Sequence, residues 1–424
     1  MNMNSKYRQM LQMALPVLVL TMAACSPEEE NYRENVIDVT KVDSVSVVPN
    51  HTMLVANGLS QIDLAPRFFT ADKRRMPDVR IKDEMLEYLT EDGVQLTPLF
   101  STSDTRLIGK TITGRLRVKG TQTTSAPFSF KVVAAEEQKY AQQITIPVIF
   151  HIVQTTEDVE SFGGPYTKEN VALQLRRLND AFKGMTKTPI GVNTHIQFVP
   201  ALYAPDGARL HEEGVNRVVV ESIDTTNVYR KFLTSKKLLW SSEHYLNIWL
   251  ISDRYGSIQN FEAVSANCLP RYMNAGATDA PEGLTLETYA NQAAAVEDLG
   301  VLYRLQELLT PLRSFSEEKS PNDLNYYVGR YLGLLPTFTR SSDQAESDYC
   351  EDTHDYYANP KAYRGNATWY KEANGCYFRA DNLMDDPTGT HTSVSRNQAI
   401  RMHWVLNNCA HRMAWKSSFA LTGK

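Results

Sequence analysis

The 424-residue sequence predicts two unlike parts, a small all-β segment and behind it a larger α+β domain. Three observations carry that expectation. Between residues 38 and 138, short runs alternate apolar and polar positions between Gly, Pro, Asn and Asp. From residue 139 the texture changes: a nearly continuous apolar run, ITIPVIFHIV, leads into a helical stripe and two more apolar runs. The composition is that of an ordinary globular chain, 42% hydrophobic and 10% aromatic with a formal net charge of −5. It contains no basic run or stripe of the kind a nucleic-acid surface needs, so no nucleic-acid partner is expected.

The first residues stand apart. Lys6 and Arg8 precede LQMALPVLVLTMAAC, an apolar run too short to span a bilayer comfortably, which stops in small residues immediately before Cys25. A secretory leader with an incidental cysteine would share the apolar run but not its stopping point. TMAAC resembles the bacterial lipobox, in which the cysteine thiol is acylated and the leader, here residues 1–24, is cut before it. That resemblance implies a membrane attachment through lipid on Cys25, in the bacterial cell envelope at the outer membrane. The following SPEEE resembles the acidic export signals of surface-displayed lipoproteins. Residues 25–37 are polar and acidic and suit a flexible tether.

In an oxidising compartment the remaining cysteines, Cys268, Cys350, Cys376 and Cys409, permit three complete pairings. Cys350 with Cys376 is preferred on proximity in the chain, and the pairing of Cys268 with Cys409 stays open. No CxxC pair occurs, which argues against a zinc ribbon or a thioredoxin-like site.

Within 38–138, SVSVVPN, QIDLAPRFF, EMLEYLTEDGVQL, KTITGRLRVKG and FSFKVVAA read as strands, with Asp92-Gly93 as a turn. Several short strands in about 100 residues predict an immunoglobulin-like sandwich, held by its core because it lacks a Cys…Trp…Cys set. A spacer is the role expected of it. In the following domain, residues 139–424, His151 falls inside the first apolar run and reads as a hydrogen-bonded core histidine. TKENVALQLRRLNDAF puts Val171, Leu175, Leu178 and Phe182 on one helical stripe behind Thr167 as N-cap. HIQFVPA and YLNIWLI predict two further strands, and residues 285–313 a helix-rich stretch.

NYYVGRYLGLLPTF, residues 325–338, has the frame YYxxRxxGxxP where a zinc-protease helix would read HExxHxxGxxH. Around it lie ordered landmarks: IPVIFHIV, LNDAF, IQFVPA and YLNIWLI before it, then YCEDTHD at 349–355, DNLMDD at 381–386 and SRNQAIRMHWVLNN. In order and spacing these resemble the pappalysin-like branch of the metzincin zinc metalloproteases, in its bacterial lipoprotein form, across most of residues 144–415. The resemblance implies a zincin-like α+β domain with a mixed sheet and an active-site helix. It implies that Met384 is the methionine of the turn beneath the metal, and that Ser395 and Gln398 form a capping box on the terminal helix. It also suggests a calcium site near Asp348, Asp352 and Thr353, within the acidic run that includes Asp343, Glu346, Glu351 and Asp355.

In that family two histidines one helical turn apart hold Zn²⁺, a glutamate deprotonates the bound water, and a glycine turns the chain toward a third histidine. Here Gly333 persists, while the ligand positions carry Tyr326, Arg330 and Pro336 and the base position Tyr327. Guanidinium stays protonated and proline has no side-chain donor. A phenol of reference pKa about 10 is no base near neutrality. Asp386 stands where the family usually has a tyrosine. None of His354, His391, His403 and His411 forms an i,i+4 pair, so each reads as a surface or core histidine. The implied reading is a pseudoprotease with zinc lost and no catalytic residue, binding a peptide or protein in a vestigial cleft beside the edge segment VSANCLP, 264–270. Arg330 would pair with Asp385, Asp386 or a ligand carboxylate. The alternatives are an active zinc peptidase with relocated ligands and a purely structural envelope lipoprotein.

Overall fold

The computed structural model describes residues 39–76, 83–161, 166–223, 229–252, 268–305, 308, 324–339, 347–358, 370–386 and 389–424. Cys25 and its leader, Asp343, Glu346 and residues 264–267 of the expected edge segment lie outside them. Among the described residues, no helix is long and apolar enough to cross a membrane.

The chain forms two compact units, and they do not divide at residue 138. One takes residues up to 46, 66–89 and 115–126; the other takes 47–65, 90–114 and 127–424. The N-terminal strands are β1 (Ser44–Val47), β2 (Met53–Val55), β3 (Ile62–Asp63), β4 (Pro66–Phe69), β5 (Leu86–Thr90), β6 (Leu99–Phe100), β7 (Thr111–Val118) and β8 (Phe128–Val133). In the first unit β1 pairs with β4. In the second, β2 runs parallel to β8, β8 antiparallel to the start of β7, and β3 antiparallel to β6. The region thus departs from the expected immunoglobulin-like sandwich over 38–138. Its physical cause is that β2 and β3 find partners far along the chain. Val55 N–H donates to Pro189 O at 2.9 Å, Gln61 N–H to Thr188 O at 3.0 Å, and the Ser60 hydroxyl to Gly191 O at 2.9 Å. Val55 and Val133 share one apolar cluster with Tyr140, Ile190, Val192 and Ala399.

The second unit is organised on β9 (Ile144–Thr155), whose buried run ITIPVIFHIVQT is covered on both faces. After it come α1 (Thr156–Ser161), α2 (Lys168–Phe182), β10 (Ile196–Pro200), β11 (Val215–Val220), α3 (Tyr229–Ser235) and β12 (Leu246–Ile251). Next are β13 (Tyr272–Met273), β14 (Glu287–Thr288), α4 (Val296–Leu299) and β15 (Gly300–Arg304). β10 and β11 share one edge of β9, the first along Ile144–Val148 and the second along Phe150–Thr155. β12 takes the other edge and carries β15 outside it. Every pairing described in this sheet is parallel; the sheet of β2, β8 and β7 is mixed, as expected of an α+β chain. The stretch 285–313 is also corrected where it is described. Gly300–Arg304 is a strand, because VLYR continues the apolar sheet and Gly300 allows close approach to β12.

α2 begins as predicted: Thr167 Oγ1 accepts from Asn170 N–H at 3.3 Å, and Val171, Leu175, Leu178 and Phe182 are all buried. The remaining elements are α5 (Leu324–Tyr331), β16 (Phe338–Thr339), β17 (Tyr356–Tyr357), the hairpin β18 (Tyr370–Ala373) and β19 (Cys376–Arg379), α6 (Arg396–Asn408) and α7 (Phe419–Thr422). On α6 the capping box forms, Gln398 N–H to Ser395 Oγ at 3.2 Å and Ser395 N–H to Gln398 Oε1 at 3.0 Å. Ser395→Ala is expected to cost about 1 kcal/mol in a denaturant melt, the ordinary worth of an N-cap.

Candidate functional site

α5 carries the frame YYxxRxxGxxP. Every residue of this eight-residue helix is buried except Arg330, which is half-buried, so it is a core helix. It stops at Gly333, whose φ of +90° suits glycine; a Cβ there would also meet Val405 Cγ2 at 2.7 Å. Arg412 closes the same end from outside the helix. Its guanidinium sits 3.6 Å over the Tyr331 ring, and Nε donates to Tyr331 O at 2.6 Å, Nη1 to Asp298 O at 2.6 Å and Nη2 to Cys268 O at 2.9 Å.

Beneath α5 lies the turn of Met384. A Cβ on Gly329 would meet Met384 Sδ at 2.8 Å and Leu383 Cδ2 at 2.9 Å, so glycine lets the helix settle on the turn. Thr337, next after Pro336, donates to Met384 O from N–H and from Oγ1, both at 3.1 Å, and from Oγ1 to Asp385 Oδ1 at 2.7 Å. Asn382 N–H donates to Asp385 Oδ2 at 2.8 Å. Burial pushes Asp385 up to about 7, so it is a weak counter-charge at neutrality. Asp386 is held by Lys371 of β18, Nζ to Oδ2 at 2.7 Å, with the Tyr356 hydroxyl donating to Oδ2 at 3.1 Å. Asp386 thus carries a buried cation in Lys371.

Tyr326 and Tyr327 are core side chains. Both belong to the main apolar cluster with Tyr303, Val328, Leu332, Leu383 and Met384. Ring centroids are 5.5 Å apart for Tyr303–Tyr327, 5.4 Å for Tyr327–Tyr326 and 6.4 Å for Tyr326–His391. Two phenols in the core, a guanidinium and a proline do not fit zinc. Among the described residues, no three His, Cys, Asp or Glu side chains converge to hold a metal ion.

The histidines are bonded in place. His151 Nε2–H donates to Asn247 Oδ1 and its Nδ1 accepts from Asn216 Nδ2, each at 3.0 Å; burial lowers it to about 4. This is the hydrogen-bonded core histidine expected from the sequence. His391 Nε2 donates to Asp385 O and Asp386 O at 3.1 Å, and His403 Nε2 to Thr194 O at 2.7 Å. His354 Nε2 donates to Asn50 O at 3.2 Å, and its ring stacks on Phe378 and meets His51 at a tilt, each at 4.1 Å between centroids. His51 and His354 border a half-open cavity of about 50 Å³ with Thr188, Asp381 and Asp385. Nothing local in the sequence marks that cavity, because its walls come from five separate segments.

The suggested calcium residues are placed apart in function. Asp352 is turned to the start of α6, accepting from Ser395 Oγ at 2.7 Å and Asn397 N–H at 2.9 Å. Asp348 Oδ1 accepts from Thr353 Oγ1 at 2.8 Å and Cys350 N–H at 2.9 Å. Asp352 thus acts as a helix-terminus carboxylate. The expected Cys350–Cys376 bridge is also corrected: Cys268, Cys350, Cys376 and Cys409 are all free and buried. Cys350 lies in the Asp348–Thr353 turn and Cys376 faces Ala373 across the hairpin, so chain proximity does not become contact. Of the expected edge segment, residues 268–270 are described, and the Cys268 thiol points at Tyr327 O from 3.5 Å.

No protein-family model matches this sequence, and no curated protein matches it either. Among solved structures it is similar to mature mirolysin of Tannerella forsythia in complex with a cleaved peptide, at 18% identity and a TM-score of 0.38, covering 66% of this chain and 98% of that one. A promirolysin mutant of the same organism matches at 16% identity and a TM-score of 0.35, covering 66% and 87%. Mirolysin in complex with a small compound matches at 15% and 0.35, covering 66% and 98%. Likeness at this level carries no chemistry to this chain.

Proposed function

We propose that this chain is a lipid-anchored, exported protein of metzincin type, pappalysin-like in its order of landmarks, that has lost zinc-dependent peptidase activity and binds a peptide or protein. The observation that carries the reading is the burial of Tyr326 and Tyr327 in the apolar core, at the positions where the first ligand and the general base would stand. Arg330 supports it, since a fixed cation repels a dication by several kcal/mol in a partly buried cleft. The lipid on Cys25, the outer-membrane location and the peptide-binding cleft are parts of the same proposal.

The test is incubation of the purified chain with unfolded protein substrates, with zinc and with a chelator, alongside metal analysis. The expected result is no cleavage above background and no stoichiometric zinc. Chelator-sensitive cleavage abolished by Tyr327→Ala would overturn the reading in favour of an active peptidase. Stoichiometric zinc without cleavage would point to relocated ligands.

A further inference from the structure

We propose that a chain of four rings, Tyr303–Tyr327–Tyr326–His391, clamps α5 between the sheet and the Met384 turn, so that this helix is fixed by packing and the fold needs no ion there. The inference rests on the reading of α5 as a former metal helix but makes a separate claim, about what now holds it. Tyr303 belongs to β15, Tyr327 and Tyr326 to α5, and His391 donates from Nε2 to both carbonyls that follow Met384. The rings therefore run without interruption from the parallel sheet, through the helix, to the turn below it. Tyr303–Tyr327 and Tyr327–Tyr326 meet edge to face, at 66° and 87°, the arrangement that ring quadrupoles favour. All four are buried, between 1% and 6% exposed. A metal site of the resembled kind would join α5 to the segment after Gly333 by ligands that share an ion. Here α5 is joined to the sheet and to the Met384 turn by contact area, and a histidine or glutamate placed at 326 or 327 would open that contact.

Thermal unfolding of the full chain tests this without any variant. The melting temperature should be the same in excess chelator and in added zinc; a rise with zinc or a fall with chelator overturns the proposal. Tyr326→Ala and Tyr327→Ala should each lower it by roughly 5–15 °C, the loss expected for removing a buried ring. Tyr326→Phe and Tyr327→Phe, which keep the ring, should retain most of the stability that the alanine variants lose. Equal losses for Phe and Ala would overturn the ring clamp. Cleavage of substrate by the wild type would sink the functional proposal while leaving a metal-independent melt intact, so the two failures are distinguishable.

Discussion

Gly300→Ala is expected to destabilise the second unit by more than about 3 kcal/mol, and to show in a urea melt as a large fall in midpoint or as loss of soluble protein. Gly300 opens β15 and stands in register with Asn247 of β12. An added Cβ would lie 2.2 Å from Asn247 O, 2.8 Å from Asn247 Cβ and 2.9 Å from its carbonyl carbon. A rotamer change cannot relieve a clash with backbone, so a strand must move. Asn247 cannot move cheaply. Its Nδ2 donates to Trp240 O and Leu299 O, both at 2.9 Å, and its Oδ1 accepts from His151, which in turn accepts from Asn216. That buried polar thread crosses β11, β9 and β12, and a half-satisfied thread costs more than an apolar one. Gly93→Ala is the control: φ is +70° with nothing within 4 Å of the new Cβ, so it carries backbone strain alone, about 1–2 kcal/mol. If the two variants melt alike, close approach to β12 is not what glycine provides at position 300.

The contrast shows what the sequence makes legible. Local signals are well preserved in the structure: Thr167 and Ser395 with Gln398 cap their helices, the stripe of α2 is buried, and His151 is a bonded core residue. The fully buried strands β9 and β12 are equally clear, because an uninterrupted apolar run has few other places to go. What fails is what depends on distant partners. VLYR of β15 reads as part of a helical stretch until β12 is beside it. β3, within QIDLAPRFF, looks like a sandwich strand until the residues before it, Ser60 and Gln61, bond to Gly191 and Thr188. Cys350 and Cys376 are near in sequence yet held in different turns. At the candidate site no pattern in the sequence says that Tyr326 and Tyr327 fill the core. Lys371 meets Asp386 from a hairpin, with no spacing in the sequence to reveal it.

Lys371→Met is expected to cost about 3–5 kcal/mol at neutral pH, the penalty for leaving one partner of a buried ion pair uncompensated. Lys371 and Asp386 meet at 2.7 Å with their side chains 8% and 0% exposed. Burial lowers the Lys371 pKa while Asp386 raises it, so the ammonium is retained in an apolar setting by its partner. Asp386 also receives the Tyr356 hydroxyl at 3.1 Å and donates its own N–H to that oxygen at 3.0 Å. Removing the lysine therefore takes the Nζ cation from a fully buried carboxylate. The sign with pH follows. An uncompensated buried carboxylate binds its proton more tightly folded than unfolded, so the variant's penalty is largest at pH 8 and shrinks as pH falls toward the carboxylate range. Denaturant melts at pH 8 and pH 5 read this directly. Asp386→Asn in the Lys371→Met background removes the stranded charge and should recover much of the loss, with little remaining dependence on pH. A single variant that melts like the wild type at pH 8 would mean that the pair is solvated in solution and that the hairpin is not pinned to the Met384 turn by charge.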